Sequence, residues 1–110
     1  MTQDELHQLI ARADREGWTE LSLRNQDIAE LPSEIGQLTN LTRFFFYINQ
    51  LTAIPPEIGL LTNLTLLDFG GNKLTAVPPE IGQLTRLKWL YLHRNQLTAV
   101  PPEIGLLTNL

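Results

Sequence analysis

One string recurs along this chain at a fixed interval. Gln50-Leu-Thr-Ala-Ile-Pro-Pro-Glu-Ile-Gly59 returns as Lys73-Leu-Thr-Ala-Val-Pro-Pro-Glu-Ile-Gly82 and as Gln96-Leu-Thr-Ala-Val-Pro-Pro-Glu-Ile-Gly105, 23 residues later each time. A weaker copy stands upstream as Asp27-Ile-Ala-Glu-Leu-Pro-Ser-Glu-Ile-Gly36. Unit starts then fall at Trp18, Leu41, Leu64 and Leu87. Residues 18–110 divide into units 18–40, 41–63, 64–86 and 87–109, and residues 1–17 stand apart. A unit this short cannot enclose its own apolar side chains, so the units have to stack.

Seven positions per unit are apolar: the first, fourth, sixth, eleventh, fourteenth, eighteenth and twenty-first. In the last unit they are Leu87, Leu90, Leu92, Leu97, Val100, Ile104 and Leu107. Leu90-Tyr91-Leu92 alternates with period two, which predicts a short strand. Pro101-Pro102 ends any ladder, because proline has no N–H to donate. Pro-Glu-Ile-Gly then predicts one short helical or 3₁₀ turn, with proline at its start. Strand, turn, short helical return and strand again would pair successive copies into a parallel sheet.

The N-terminal segment has a different period. Thr2 and Glu5 have capping-box spacing. Leu6, Leu9, Ile10 and Ala13 follow at the spacing of one helical stripe, and Gly17 is a stop signal. An amphipathic helix over 3–16 is expected, covering the open end of the first unit as a solenoid requires.

The unit Leu-x-x-Leu-x-Leu-x-x-Asn-x-Leu-x-x-Val-Pro-x-x-Ile-Gly-x-Leu resembles the leucine-rich repeat in its 23-residue form. Leu41, Phe44, Phe46, Asn49 and Leu51 fit the pattern. So do Leu64, Leu67, Phe69, Asn72 and Leu74, and then Leu87, Leu90, Leu92, Asn95 and Leu97. The first unit departs from it, with Trp18 for the leading leucine and Gln26 for the asparagine. The resemblance implies an α/β solenoid, right-handed, with a parallel sheet on its concave face and an N-terminal capping helix. It also implies a protein–protein interaction module without catalysis of its own. The subtype is similar to intracellular Ras-related repeats and to those heading prokaryotic Roco-type proteins. A cytoplasmic signalling role is expected on that likeness, with the recognition segment of a Roco-type GTPase as an alternative.

Composition closes several routes. With no cysteine, a disulfide-stapled module and a thiolate metal site are excluded. Twelve acidic against eight basic residues give −4, a poor balance for nucleic acid or anionic lipid. Met1-Thr-Gln-Asp-Glu5 is polar and acidic, unlike a signal peptide, and no membrane contact is expected. Glycine-lysine does not occur, so there is no phosphate loop, and no nucleophile elbow is present. No catalytic residue, metal site or cofactor is expected.

Asn49, Asn72 and Asn95, with Gln26 at the first-unit place, are expected to form a structural ladder. An amide can satisfy backbone groups on both sides of a turn. Glu34, Glu57, Glu80 and Glu103 are read as dipole partners in the first helical turn. His7 and His93 are too far apart in the pattern to share a metal.

The outward strand positions vary most from unit to unit, and there the partner-binding surface is expected. Its residues are Arg43, Phe45, Tyr47, Leu66, Asp68, Lys88, Trp89, Tyr91, His93 and Arg94. Aromatic and arginine side chains dominate interface hot spots. Gly70 and Gly71 should leave a depression walled by Tyr47 and His93, with Asp68 on its floor. Arg24, Arg43, Lys88 and Arg94 outnumber Glu20 and Asp68 on this face, which suits an acidic, apolar protein or peptide partner. The pattern also stops without a C-terminal cap, leaving Leu92, Leu97, Val100 and Ile104 at the last edge. That suggests a longer parent, or self-association with copies stacked end to end.

Overall fold

The computed structural model describes residues 1–110. Helix α1 spans Gln3–Glu16 and is followed by strands β1 (Glu20–Ser22), β2 (Arg43–Phe45), β3 (Leu66–Asp68) and β4 (Trp89–Tyr91). After each strand comes a five-residue 3₁₀ helix, at Ser33–Gln37, Pro56–Leu60, Pro79–Gln83 and Pro102–Leu106. Every one begins after a proline in extended conformation. In the last three a second proline occupies the first helical turn, where a missing N–H costs nothing.

The strands form one parallel sheet in sequence order. Leu21, Phe44, Leu67 and Leu90 pair across it, each 23 residues on from the last, and so do Ser22, Phe45, Asp68 and Tyr91. This register sends the fourth and sixth unit positions inward and leaves the third and fifth outward. The 3₁₀ helices stack on the opposite side, and the core lies between the two layers. Phe44, Phe46 and Phe69 meet at its centre with ring centroids 5.7–5.8 Å apart, tilted or edge-on. Such pairs add about 0.5–1.5 kcal/mol each beyond the area they bury.

Close stacking explains the glycine of each Ile-Gly. A Cβ on Gly82 would stand 2.9 Å from both Glu103 Cβ and the Glu103 carbonyl oxygen, and Gly36 faces Glu57 in the same way. Only a residue without a side chain lets the next 3₁₀ helix approach so near.

Helix α1 has the capping box its sequence predicts. The Thr2 hydroxyl accepts from the Glu5 N–H at 3.1 Å, and Glu5 accepts from the Thr2 N–H at 2.9 Å. The Thr2 backbone N–H foremost, and then the Thr2 hydroxyl, hold the Glu5 carboxyl below its ordinary pKa. Gly17 ends the helix at φ 66, with the paired closing bonds Gly17 N–H to Asp14 and Trp18 N–H to Ala13. Leu6, Ile10 and Ala13 are buried against the first unit. The Met1 amino group donates to the Gln26 carbonyl, and Gln3 Nε2 donates to the Glu30 carbonyl. No helix is long and apolar enough to cross a membrane.

Helix α1 thus covers the N-terminal edge of the stack.

Candidate functional site

Outward residues of the strands and the turns after them make one continuous face. Trp89 and Tyr91 are 49% and 41% exposed there. Arg43, Lys88, His93 and Arg94 are exposed, whereas Phe45, Tyr47, Leu66 and Asp68 are half-buried. Phe45 and Tyr47 therefore cover neighbouring strands in part, as cross-strand aromatics do. The Tyr47 hydroxyl accepts from Arg24 Nη1 at 2.9 Å, and that guanidinium lies 6.0 Å from the ring centroid. The bond pushes the Arg24 pKa up. Arg43 Nη1 stands 4.0 Å from Glu20 Oε1, both exposed, a pair worth little in water. Tyr91 and His93 meet edge to face at 6.3 Å.

Tyr47, Ile48, Asp68, Gly70, Gly71, His93 and Arg94 line a depression of about 330 Å³. It lies where the glycine pair suggested, but its floor is not bare backbone. A Cβ on Gly70 would stand 2.5 Å from His93 Cε1, so Gly70 makes room for the imidazole laid over it. Gly70 is buried rather than exposed for that reason. Asp68 Oδ1 accepts the Gly70 N–H at 2.9 Å and ties the turn down.

The eighth unit position carries a feature the sequence did not reveal. Asn25, Ile48, Gly71 and Arg94 all have positive φ, at 54°, 59°, 68° and 57°. Left-handed backbone costs a residue with a side chain about 1–2 kcal/mol, and β-branched residues suit it least. Ile48 accepts that cost with its side chain 54% exposed. Asn25 and Gly71 are residue types that suit this conformation, whereas the identities of Ile48 and Arg94 give no sign of it.

Behind the face, the asparagine ladder is in place. Asn49 Oδ1 accepts from the Gln26 and Ile28 N–H groups, and its Nδ2 donates to the Leu23 and Phe46 carbonyls at 2.7 and 3.2 Å. Asn72 bonds Leu51, Phe46, Phe69 and Gly70. Asn95 repeats the pattern on Leu74, Phe69, Leu92 and His93, half-buried instead of buried. Gln26 is a correction. It is exposed, and its Nε2 donates to the Arg24 carbonyl of its own turn. Its longer side chain folds back locally, and only its backbone N–H joins the ladder.

Two further ladders lie at the unit junctions, and the sequence reading missed them. Thr42 and Thr65 hydroxyls donate to the Thr19 and Thr42 carbonyls, one unit back. Asn63 and Asn109 donate to the Thr39 and Thr85 carbonyls at 2.8 Å. Period 23 in the polar positions was their only signal. The glutamate column is likewise more than a dipole device. Glu57, Glu80 and Glu103 are half-buried with backbone and Cβ against the preceding glycine. His7 faces Glu34 at 3.7 Å on the cap side, far from His93 on the strand face.

At the last edge, Leu90, Leu92 and Ile104 are half-buried and Val100 is 53% exposed. With Trp89, Tyr91 and Leu110 they line a second, largely apolar cavity of about 340 Å³.

Stacked strand and 3₁₀ units joined by a buried asparagine ladder define a leucine-rich-repeat solenoid. The family model described as "Leucine rich repeat" matches residues 48–97. The fold is similar to a leucine-rich-repeat protein of Leptospira interrogans at 35% identity, covering 91% of this chain and 32% of that one, with a TM-score of 0.65. It is similar to the functional domain of InlJ from Listeria monocytogenes at 32% identity, over 76% of this chain and 18% of that one, TM-score 0.68. A third neighbour is the ectodomain of the Arabidopsis thaliana membrane receptor kinase GASSHO1/SCHENGEN3, solved in complex with CASPARIAN STRIP INTEGRITY FACTOR 2. There the identity is 32%, over 89% of this chain and 12% of that one, TM-score 0.78. Among curated proteins none matches. The matched repeats and these neighbours support a leucine-rich-repeat protein, and the chain spans a third or less of each of these neighbours. Its fold is that of a protein–protein interaction module.

Proposed function

We propose that this chain binds a protein or peptide on its strand face. The observation that carries the reading is the pair Trp89 and Tyr91, large aromatics 49% and 41% exposed on the outward side of the sheet. Exposed aromatics beside cations are what interface anchors consist of. Arg24, Arg43, Lys88 and Arg94 favour a partner with acidic as well as apolar groups. The complex of the Arabidopsis neighbour with CASPARIAN STRIP INTEGRITY FACTOR 2 supports a polypeptide as the class of partner. The cytoplasmic setting is part of the proposal and rests on the resemblance to intracellular repeats. The chain's share of its neighbours' lengths favours a second reading, in which the same face serves as the recognition segment of a larger signalling protein.

A pull-down comparing the native chain with Trp89→Ala/Tyr91→Ala tests the face. These residues are exposed, so the variant should keep its melting temperature within about 0.5 kcal/mol of stability. Partners recovered by the native chain should be lost by the variant. Equal recovery of every partner would move the site off this sheet.

A further inference from the structure

The depression beside Tyr47 stands apart from the rest of the strand face because its backbone is strained for no internal benefit. The left-handed eighth position is held elsewhere by Asn25, Gly71 and Arg94. Asparagine and glycine tolerate that conformation best. Ile48 occupies it at φ 59° and leaves its side chain 54% in solvent. Neither backbone preference nor burial gives the folded chain a use for isoleucine there. The surroundings nevertheless accommodate it, since a Cβ on Gly71 would stand 3.3 Å from Ile48 Cγ1. Strain and exposed apolar surface that bring nothing to the free protein point to a use in a bound one.

The walls supply the chemistry of the occupant. Tyr47, Ile48 and His93 contribute aromatic and apolar surface to its lining. One Asp68 oxygen is taken by the Gly70 N–H, and its other oxygen has no hydrogen-bond partner. Arg94 lies on the rim without an ion pair. A polypeptide backbone offers an N–H for that open carboxylate oxygen, and an acidic side chain complements the free guanidinium.

We propose that this depression is the selectivity pocket for an extended polypeptide segment. One apolar side chain of that segment seats on Ile48 between Tyr47 and His93, and an acidic residue beside it pairs with Arg94. The inference rests on the strand face being the binding surface and names the part of it that selects the partner. Ile48 then spends folding stability on recognition, so binding and stability should respond to it with opposite sign.

The test is a displayed library of random peptides selected on the 110-residue chain. Enriched clones are remade as synthetic peptides and measured against native, Ile48→Asn, Arg94→Ala and Trp89→Ala proteins. The expected clones place an apolar residue next to an acidic one. They should bind Ile48→Asn about tenfold more weakly than native, equivalent to about 1.4 kcal/mol, although that variant melts at the same or a higher temperature. Arg94→Ala should remove the preference for the acidic residue and leave the apolar one. Clones that bind Ile48→Asn as well as native but lose Trp89→Ala would overturn this pocket and leave the strand-face reading intact. Clones indifferent to all three substitutions, or no clones at all, would overturn both. Native chemical shifts of Ile48 and Gly71 that move with protein concentration alone would make a second copy the occupant and refute the peptide assignment.

Discussion

The third and fourth units share the run Leu-Thr-Ala-Val-Pro-Pro-Glu-Ile-Gly and the same apolar positions but sit in different environments. Leu67 is fully buried and Leu90, its partner in the register, is half-buried. A Cβ on Gly82 would collide with the next unit, whereas a Cβ on Gly105 would find nothing within 4 Å. Asn72 and Asn95 each make four hydrogen bonds, one set buried and the other partly wet. Burial here belongs to the stack rather than to the unit, so the same motif is worth more with a neighbour on both sides. Of the apolar repeat positions, the six that escape full burial are Trp18 at the cap junction and Leu90, Leu92, Leu97, Val100 and Ile104.

Paired substitutions should expose this asymmetry most strongly in the core. Leu67→Ala is expected to cost about 2–5 kcal/mol by thermal or urea unfolding, and Leu90→Ala less than half of that. Equal costs would mean that the fourth unit is as well packed as the third.

Glycine should reverse sign between the same two units. Gly82→Ala forces the Glu103 backbone outward and should destabilise by about 1–3 kcal/mol. Gly105→Ala meets open space and should be neutral or stabilising by up to about 1 kcal/mol through the unfolded chain. A loss at Gly105 as large as at Gly82 would show that something covers it.

The ladder should grade in the same direction. Asn72→Ala leaves buried backbone groups unpaired, for a loss of about 1–3 kcal/mol. Asn95→Ala should cost less, because water reaches the groups it abandons. A melting shift at Asn72 indistinguishable from zero would remove the ladder from the account.

The smallest effect lies at the opposite end, where α1 closes the stack. Thr2→Ala should cost about 1 kcal/mol. Because Glu5 has a lowered pKa in the folded chain, its contribution is present above the ordinary carboxylate range. It is lost as the pH falls through the lowered value. Glu5→Gln should therefore flatten the acid limb of the stability profile, and an unchanged limb would place the acid sensitivity elsewhere.

Much of this was legible before any coordinates. The period-two triplets became β1–β4, the proline pairs opened the 3₁₀ helices, and the asparagines formed the ladder, because those signals are side-chain identities. What stayed hidden is backbone conformation and neighbour geometry. Asn25, Ile48, Gly71 and Arg94 share a φ but no chemistry, so a column of unlike residues concealed one left-handed turn. The threonine hydroxyls at Thr42 and Thr65 resembled ordinary loop polarity until the preceding carbonyl was placed beside them. Gln26 failed as a ladder member because one extra methylene changes where an amide can reach.

Amide hydrogen exchange on the 110-residue chain tests the stacking most directly. The Phe46 and Phe69 N–H groups bond to the Asp68 and Tyr91 carbonyls of the following strand at 2.8 and 2.9 Å, while the equivalent Leu92 N–H has no acceptor. Strong protection at Phe46 and Phe69 with rapid exchange at Leu92 is the expected result. Rapid exchange at all three would mean that the strands are not joined in this register, and equal protection at Leu92 would mean that the fourth unit is not the open side of the stack.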